Sequence, residues 1–154
     1  MKESQELLAK AFAEGRVSSN AVCCFLEQCV RKNECLRYQL WVCLRQKWAE
    51  GKAVFPDAET DDACPFFAPL RTVRMAWGFN ALFRDVRIND GKELRAQMRE
   101  ILGSKRQYYS YKLGQRKLLP EQQDEIKRLF AEYGYADADF DHFSYGIDLS
   151  RLLA

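Results

Sequence analysis

The residue type with the most versatile chemistry in this sequence is cysteine, which occurs six times in 154 residues. Cys24, Cys29 and Cys35 have the spacing C-x4-C-x5-C, and Cys64, which is followed directly by a proline, comes later in the chain. Thiolates are soft ligands that bind Zn²⁺ tetrahedrally or hold an iron–sulfur cluster. We therefore predict that Cys24, Cys29, Cys35 and Cys64 form one zinc or iron–sulfur site with a structural or sensing role.

The cysteine spacing leaves two other interpretations open. No C-x2-C pair is present, and such pairs are the strongest sequence signal of a zinc site. All six cysteines would then be small buried hydrophobic residues without a metal, or redox or disulfide partners. Cys23 and Cys43 lie outside the predicted site, and Cys43 falls on the apolar face of a predicted helix. No role is assigned to Cys23.

Catalytic signatures are missing from the sequence. The single histidine, His142, lies between an aspartate and a phenylalanine, and no serine or cysteine pattern accompanies it. It could replace one thiolate ligand, although a surface or hydrogen-bonded role is the simpler interpretation. No glycine-rich phosphate loop is present either. We predict that the protein is not an enzyme.

A second candidate site is the segment KRQYYSYKLGQRK at residues 105–117, which has five basic residues, three tyrosines and no acidic residue. Basic side chains bind phosphates, and polar or aromatic side chains on a helix can reach base edges in a major groove. The predicted phosphate contacts are Lys105, Arg106, Lys112, Arg116 and Lys117, and the predicted base contacts are Gln107, Tyr108 and Tyr111. The alternative is a solvated helix whose tyrosines pack on the body of the protein.

Helical periodicity and glycine or proline boundaries predict the elements that position these residues. Because no convincing sheet is indicated, the expected fold class is mainly α, a compact helical domain. We expect a single domain over 1–154, with a cysteine-bearing helical part at 1–89, a helix-turn-helix-like part at 90–134 and an acidic, aromatic tail at 135–154. The predicted helices cover about residues 4–15, 35–51, 70–83, 90–103, 104–114 and 120–134.

Two resemblances add to this interpretation. Residues 90–134 resemble a helix-turn-helix of the phage-repressor class, and the stretch YYSYKLGQRKLLPEQQDEIKRLF resembles the end of such a domain. This resemblance implies DNA as the partner. The pieces C-x5-CLRY, CPFF, AWGFN, YYSYKLGQRKL and PEQQDEI together resemble an uncharacterised bacterial family of small cysteine-motif proteins. That resemblance favours Cys24, Cys29, Cys35 and Cys64 as members of one motif, and it implies no catalytic residues.

Composition and charge exclude few classes of function. The net charge is only +2, so a case for nucleic acid depends on the local basic segment rather than on the whole chain. Neither a secretory signal nor a membrane-spanning run is visible, which predicts a cytoplasmic protein. The leading prediction is a cytoplasmic DNA-binding protein, with transcriptional regulation as one possible role. The alternative is a protein–protein interaction module with structural cysteines and no metal.

Overall fold

The computed structural model describes residues 2–55 and 64–152, which form a mixed α/β arrangement. Strands are β1 (Val22–Cys23), β2 (Lys52–Ala53), β3 (Thr72–Trp77) and β4 (His142–Ile147), and a 3₁₀ turn covers Ser150–Leu152. Two small sheets result, one of the parallel pair β1 and β2 and one of β3 and β4. The helices are α1 (Lys2–Ala13), α2 (Leu36–Leu44), α3 (Asn80–Phe83), α4 (Ile88–Leu102), α5 (Lys105–Lys112) and α6 (Pro120–Glu132).

The prediction of a mainly α fold is wrong, and β3 shows why. Thr72 and Arg74 are exposed whereas Val73 and Met75 are buried, which is the period-two alternation of a strand. This segment was expected to begin a helix over 70–83, yet only the short α3 is helical there. Gly78, whose φ of +83° suits a glycine, separates the strand from that helix. The tail also contributes a strand, β4.

The chain divides into two compact units. Unit 1 consists of Met1–Thr72 together with Gly146–Ala154, and unit 2 consists of Val73–Tyr145. The chain therefore leaves unit 1 after β3 has begun and returns to it before β4 ends. Unit 1 therefore contains residues from both the N-terminal and the C-terminal parts of the chain.

Unit 1 has a core in which α1 and α2 contribute aliphatic side chains. Leu8 of α1 and Leu36 and Leu40 of α2 are completely buried, and Ile147 near the C-terminus joins the same cluster. Burying a leucine or isoleucine side chain stabilises a fold by roughly 1.5–3 kcal/mol. Leu36, the first residue of α2, thus anchors the segment around Cys35 in this core.

Unit 2 is built on three amphipathic helices whose apolar faces meet. Leu94 and Met98 of α4 and Ile126 and Phe130 of α6 are completely buried. Ser104 precedes helix α5, and its Oγ accepts a 3.1 Å hydrogen bond from the backbone N–H of Gln107, which caps the helix. The predictions of these three helices from periodicity and from glycine or proline boundaries are confirmed.

Candidate metal centre and candidate nucleic-acid interface

The four cysteines predicted to form one site line a single small cavity in unit 1. Its volume is about 20 Å³, and Cys24, Cys29, Cys35 and Cys64 all contribute to its wall. Cys35 is buried and the other three are half-buried. Three cationic side chains line the same cavity, namely Arg31, Lys32 and Arg37.

A series of turns brings Cys29 and Cys35 together. The backbone N–H of Lys32 donates to the carbonyl of Cys29 at 3.3 Å, and the N–H of Cys35 donates to the carbonyl of Lys32 at 3.4 Å. Cys24 approaches from another direction, since its N–H donates to the carbonyl of Arg37 at 3.1 Å. Local turns therefore account for the three cysteines that are close in sequence.

Cys64 reaches the cavity because the segment after it is bound to the residues around Cys35. The backbone N–H of Leu36 donates to the carbonyl of Ala68 at 2.7 Å, and the N–H of Leu70 donates to the carbonyl of Glu34 at 2.8 Å. A bridge between Cys35 and Pro69 lies between these two hydrogen bonds. This pairing places Cys64 beside cysteines that precede it by 29 or more positions.

The surroundings of the Cys24 thiol raise its pKa. Burial raises the pKa of the Cys24 thiol, a backbone N–H of Leu26 opposes that effect, and the charges of Cys35, Cys29 and Cys64 raise it further. None of the six cysteines forms a disulfide. Within residues 2–55 and 64–152, however, no three or more Cys, His, Asp or Glu side chains are placed as ligands of one ion. The thiols thus share a cavity without a closed ligand geometry.

The remaining two cysteines lie elsewhere in unit 1. Cys23 is buried in the core cluster of that unit, and Cys43 packs against the same cluster, which confirms the prediction that Cys43 lies on the apolar face of its helix. Burial raises the pKa of both thiols. His142 belongs to unit 2, where its ring stacks on Trp77 with 5.2 Å between centroids. No histidine lines the cysteine cavity.

The basic segment of unit 2 is exposed on one side only. Lys105, Arg106 and Arg116 are exposed, and Lys112 and Lys117 are half-buried. We call these five residues the basic surface. Between residues 95 and 117 the chain has seven basic residues and one acidic residue. Among the described residues, no carboxylate forms an ion pair with any member of the basic surface.

Two of the predicted base contacts are in the core instead. Tyr108 is 2% exposed and its ring lies 5.1 Å from that of Phe79, while Tyr111 is 8% exposed. Neither side chain can reach a base edge in this conformation, so that part of the prediction is wrong. The physical reason is the helical phase of α5, which turns positions 108 and 111 towards the helices that pack on it. The tyrosine that shares the solvent side with the basic residues is Tyr109, which is 40% exposed.

Nearby contacts hold the basic side chains in place. Arg116 Nη1 donates to Gln107 Oε1 at 3.4 Å, so the third predicted base contact is half-buried and already has a partner. The ammonium of Lys117 lies 4.6 Å from the centre of the Trp77 ring, and that of Lys112 lies 5.8 Å from the Tyr109 ring. Cation–π contacts of this kind keep the charge while they restrict the side chain.

A larger apolar cavity of about 310 Å³ opens in unit 1, and the sequence alone does not indicate it. Phe25, Trp41 and Trp48 contribute aromatic side chains to its wall, and Cys23 lies among them. Phe25 and Trp41 contact each other with ring centroids 5.8 Å apart. Its only sequence signal is the apolar face of α2, which is indistinguishable from an ordinary core-facing stripe.

The comparisons with known proteins identify a family and nothing more specific. A family model described as "Family of unknown function (DUF6078)" matches residues 5–149. No curated protein and no solved structure shows a significant match to the chain. Among the described residues, no helix has the length and apolar character needed to cross a membrane.

Proposed function

Since the chain belongs to the DUF6078 family, whose function is unknown, we propose that it binds duplex DNA through the phosphate groups. The observation that carries this proposal is the basic surface of unit 2, where five cationic side chains face solvent or lie half-buried without a carboxylate partner among the described residues. We also propose that the protein acts in the cytoplasm of a bacterium without catalytic activity. We further propose that the pieces C-x5-CLRY, CPFF and YYxYKxGxRxL are motifs of the family.

Phosphate contacts give affinity, whereas contacts to base edges give sequence specificity. Because Tyr108 and Tyr111 are buried and Gln107 is bonded to Arg116, the surface offers cations but few groups for reading bases. We therefore expect binding with little sequence preference. A transcriptional role would then need specificity from DNA shape or from a partner.

Salt dependence tests the proposal directly. If all five cations neutralise phosphates, log K should fall against log salt with a slope of about −4.5. The measurement is fluorescence anisotropy of a labelled duplex titrated with the full chain at several salt concentrations. No binding at low salt, or a slope near zero, would contradict the proposal. Single-stranded DNA and RNA of equal length are parallel arms, and stronger binding of either would replace duplex DNA as the partner.

A matched pair of variants separates the contribution of the basic surface to DNA binding from the contribution of net charge. Lys105→Ala with Arg106→Ala removes two exposed cations of the basic surface and should lower the salt slope by about 2. Lys92→Ala with Arg128→Ala removes two exposed cations elsewhere in unit 2 and should leave most of the affinity. Equal losses in both variants would mean that the basic surface has no special role.

The apolar cavity of unit 1 favours a second candidate function, which is recognition of a protein partner. Aromatic-lined pockets accept the anchor side chains that dominate many protein interfaces. Phe25 is 38% exposed at its rim, which leaves it accessible to such an anchor. The Lys105→Ala and Arg106→Ala variant discriminates between the two functions, because it should weaken DNA binding and leave a hydrophobic partner bound.

A further inference from the structure

We propose that Cys24, Cys29, Cys35 and Cys64 bind one Zn²⁺ ion, and that this centre is structural rather than an iron–sulfur cluster. The proposal concerns unit 1 and is independent of DNA binding by unit 2. It rests on the cavity that four thiols share, the cationic side chains in the wall of that cavity and its size.

The shared cavity is specific to four of the six cysteines. Cys24, Cys29, Cys35 and Cys64 line the 20 Å³ cavity, whereas Cys23 lines the larger apolar cavity and Cys43 lines neither. Chance burial of small hydrophobic residues would not distinguish the two groups. The distinction also matches a common design of structural zinc sites, in which ligands close in sequence are joined by ligands from a distant segment.

The charges around the cavity fit a tetrathiolate zinc centre. Four thiolates and one Zn²⁺ carry two negative charges in total, and such a buried charge needs compensation. Arg31, Lys32 and Arg37 supply cations at the cavity wall. Arg37 is 5% exposed and lines this cavity, so its positive charge is held inside unit 1.

The size of the cavity favours a single ion over a cluster. A cavity of about 20 Å³ accommodates one atom of roughly the size of a water molecule. In a tetrahedral zinc site with Zn–S bonds of about 2.3 Å, the sulfurs lie about 3.8 Å apart. A cluster contains several irons and sulfides and therefore needs more space between its cysteine ligands than a single ion does.

Binding requires the ligands to move, because no three Cys, His, Asp or Glu side chains of the described residues are placed around one point. The four sulfurs must turn towards one point, and each thiol must lose its proton to solvent as its S–Zn bond forms. The backbone already holds the two segments together through the hydrogen bonds of Leu36 and Leu70. Zn²⁺ would then connect the same two segments through their side chains, which gives the ion its structural role.

Metal analysis of the full chain, purified without oxygen, tests the proposal. We expect about one zinc per chain, no visible absorption, and no acid-labile sulfide. Replacement of zinc by Co²⁺ should produce the visible absorption of a tetrahedral cobalt–thiolate site. A brown protein with iron and sulfide, or a chain that takes up no zinc or cobalt when both are offered after reduction, would overturn the proposal.

Serine variants assign the ligands, and the chain provides its own controls. Cys29→Ser and Cys64→Ser should each lower zinc affinity by at least about 100-fold. Cys23→Ser and Cys43→Ser should retain one zinc. If Cys29→Ser and Cys64→Ser bind zinc as tightly as the unmodified chain, these cysteines are not ligands and the proposal fails.

Alkylation of the unmodified chain keeps the test decisive if a serine variant does not fold. Zinc should protect Cys24, Cys29 and Cys64 from an alkylating reagent, and a chelator should expose all three together, as read by mass spectrometry of peptides. Equal alkylation with and without the chelator would contradict a shared ion. The Lys105→Ala and Arg106→Ala variant should keep its zinc content. That result would show that zinc binding does not depend on the basic surface proposed to bind DNA.

Discussion

The guanidinium of Arg37 donates a 2.8 Å hydrogen bond from Nε to the carbonyl oxygen of Phe66. The same side chain donates from Nη1 to the carbonyl of Val22 at 3.0 Å and from Nη2 to the carbonyl of Arg151 at 2.9 Å. One buried cation thus joins the segment before Cys24, the segment after Cys64 and the C-terminal turn. The planar fork of arginine suits this task, because its five donors are fixed in direction.

Replacement of Arg37 should therefore destabilise unit 1. Arg37→Lys keeps the charge but loses the fork, which leaves buried carbonyls without donors, and should cost about 3 kcal/mol of unfolding free energy. Urea denaturation measures the change. Arg45→Lys is the control, because Arg45 is exposed at the end of the same helix. Equal midpoints for the Arg37→Lys variant and the unmodified chain would show that the carbonyls find other donors.

Asp148 predicts a pH dependence of stability. Burial would raise the pKa of its carboxyl, but hydrogen bonds from Ser150 and the charge of Arg71, whose Nη2 lies 2.9 Å away, lower the pKa below the usual value of 3.8. A carboxyl whose pKa is lower in the folded state stabilises the fold above its unfolded pKa, and that stability is lost as pH falls through the folded pKa. The unfolding free energy should thus decrease as pH falls below about 4.

Asp148→Asn tests this dependence. The variant should lose about 1–2 kcal/mol at pH 7 and should show a shallower decline in acid than the unmodified chain. Asp124→Asn, at an exposed position of α6, is the control and should leave the acid limb unchanged. If the unfolding free energy of the Asp148→Asn variant falls in acid as steeply as that of the unmodified chain, the pH dependence arises from other groups.

Gly114 is held close to the side chain of Trp77 in unit 2. Its φ is +80°, and a Cβ at this position would lie 2.7 Å from Cδ1 of the indole. Gly114→Ala should cost about 2–3 kcal/mol, because it adds a steric clash to the strain of a left-handed backbone. Thermal unfolding followed by tryptophan fluorescence measures the loss.

Gly134→Ala is a matched control for that clash. Gly134 has a φ of +90°, and a Cβ added there would have no atom within 4 Å, so only the backbone strain applies. We expect a cost of about 1 kcal/mol for this variant. If Gly114→Ala loses no more stability than Gly134→Ala, the Trp77 side chain moves away from the added Cβ without an energetic penalty.

The two adjacent tyrosines of α5 should respond very differently to truncation. Tyr108→Ala removes a ring that is 2% exposed and should cost about 3–5 kcal/mol, whereas Tyr109→Ala should cost less than about 1 kcal/mol. Chemical denaturation of both variants measures the difference. Similar losses would show that α5 presents another face to the core than the one described.

Much of unit 2 was predictable from local sequence signals. The apolar periodicity of α4 and α6, Ser104 before α5 and Pro120 at the start of α6 all act within one helical turn or along one helix face. Such signals are visible without tertiary structure because helix hydrogen bonds join residues four apart. The strand β3 could not be predicted from such signals, because Val73, Met75 and Ala76 also fit the apolar pattern of a helix face.

The sequence by itself determined which four cysteines have the spacing of a candidate site, and that residues 105–117 are basic. Tertiary structure decided that Cys64 meets the other three, because backbone hydrogen bonds such as those of Leu36 with Ala68 and Leu70 with Glu34 join segments over 30 residues apart. It also decided that Tyr108 and Tyr111 face the core while Lys105, Arg106 and Arg116 are exposed. Both outcomes depend on contacts between residues distant in sequence, and the pattern of neighbouring residues does not encode those contacts.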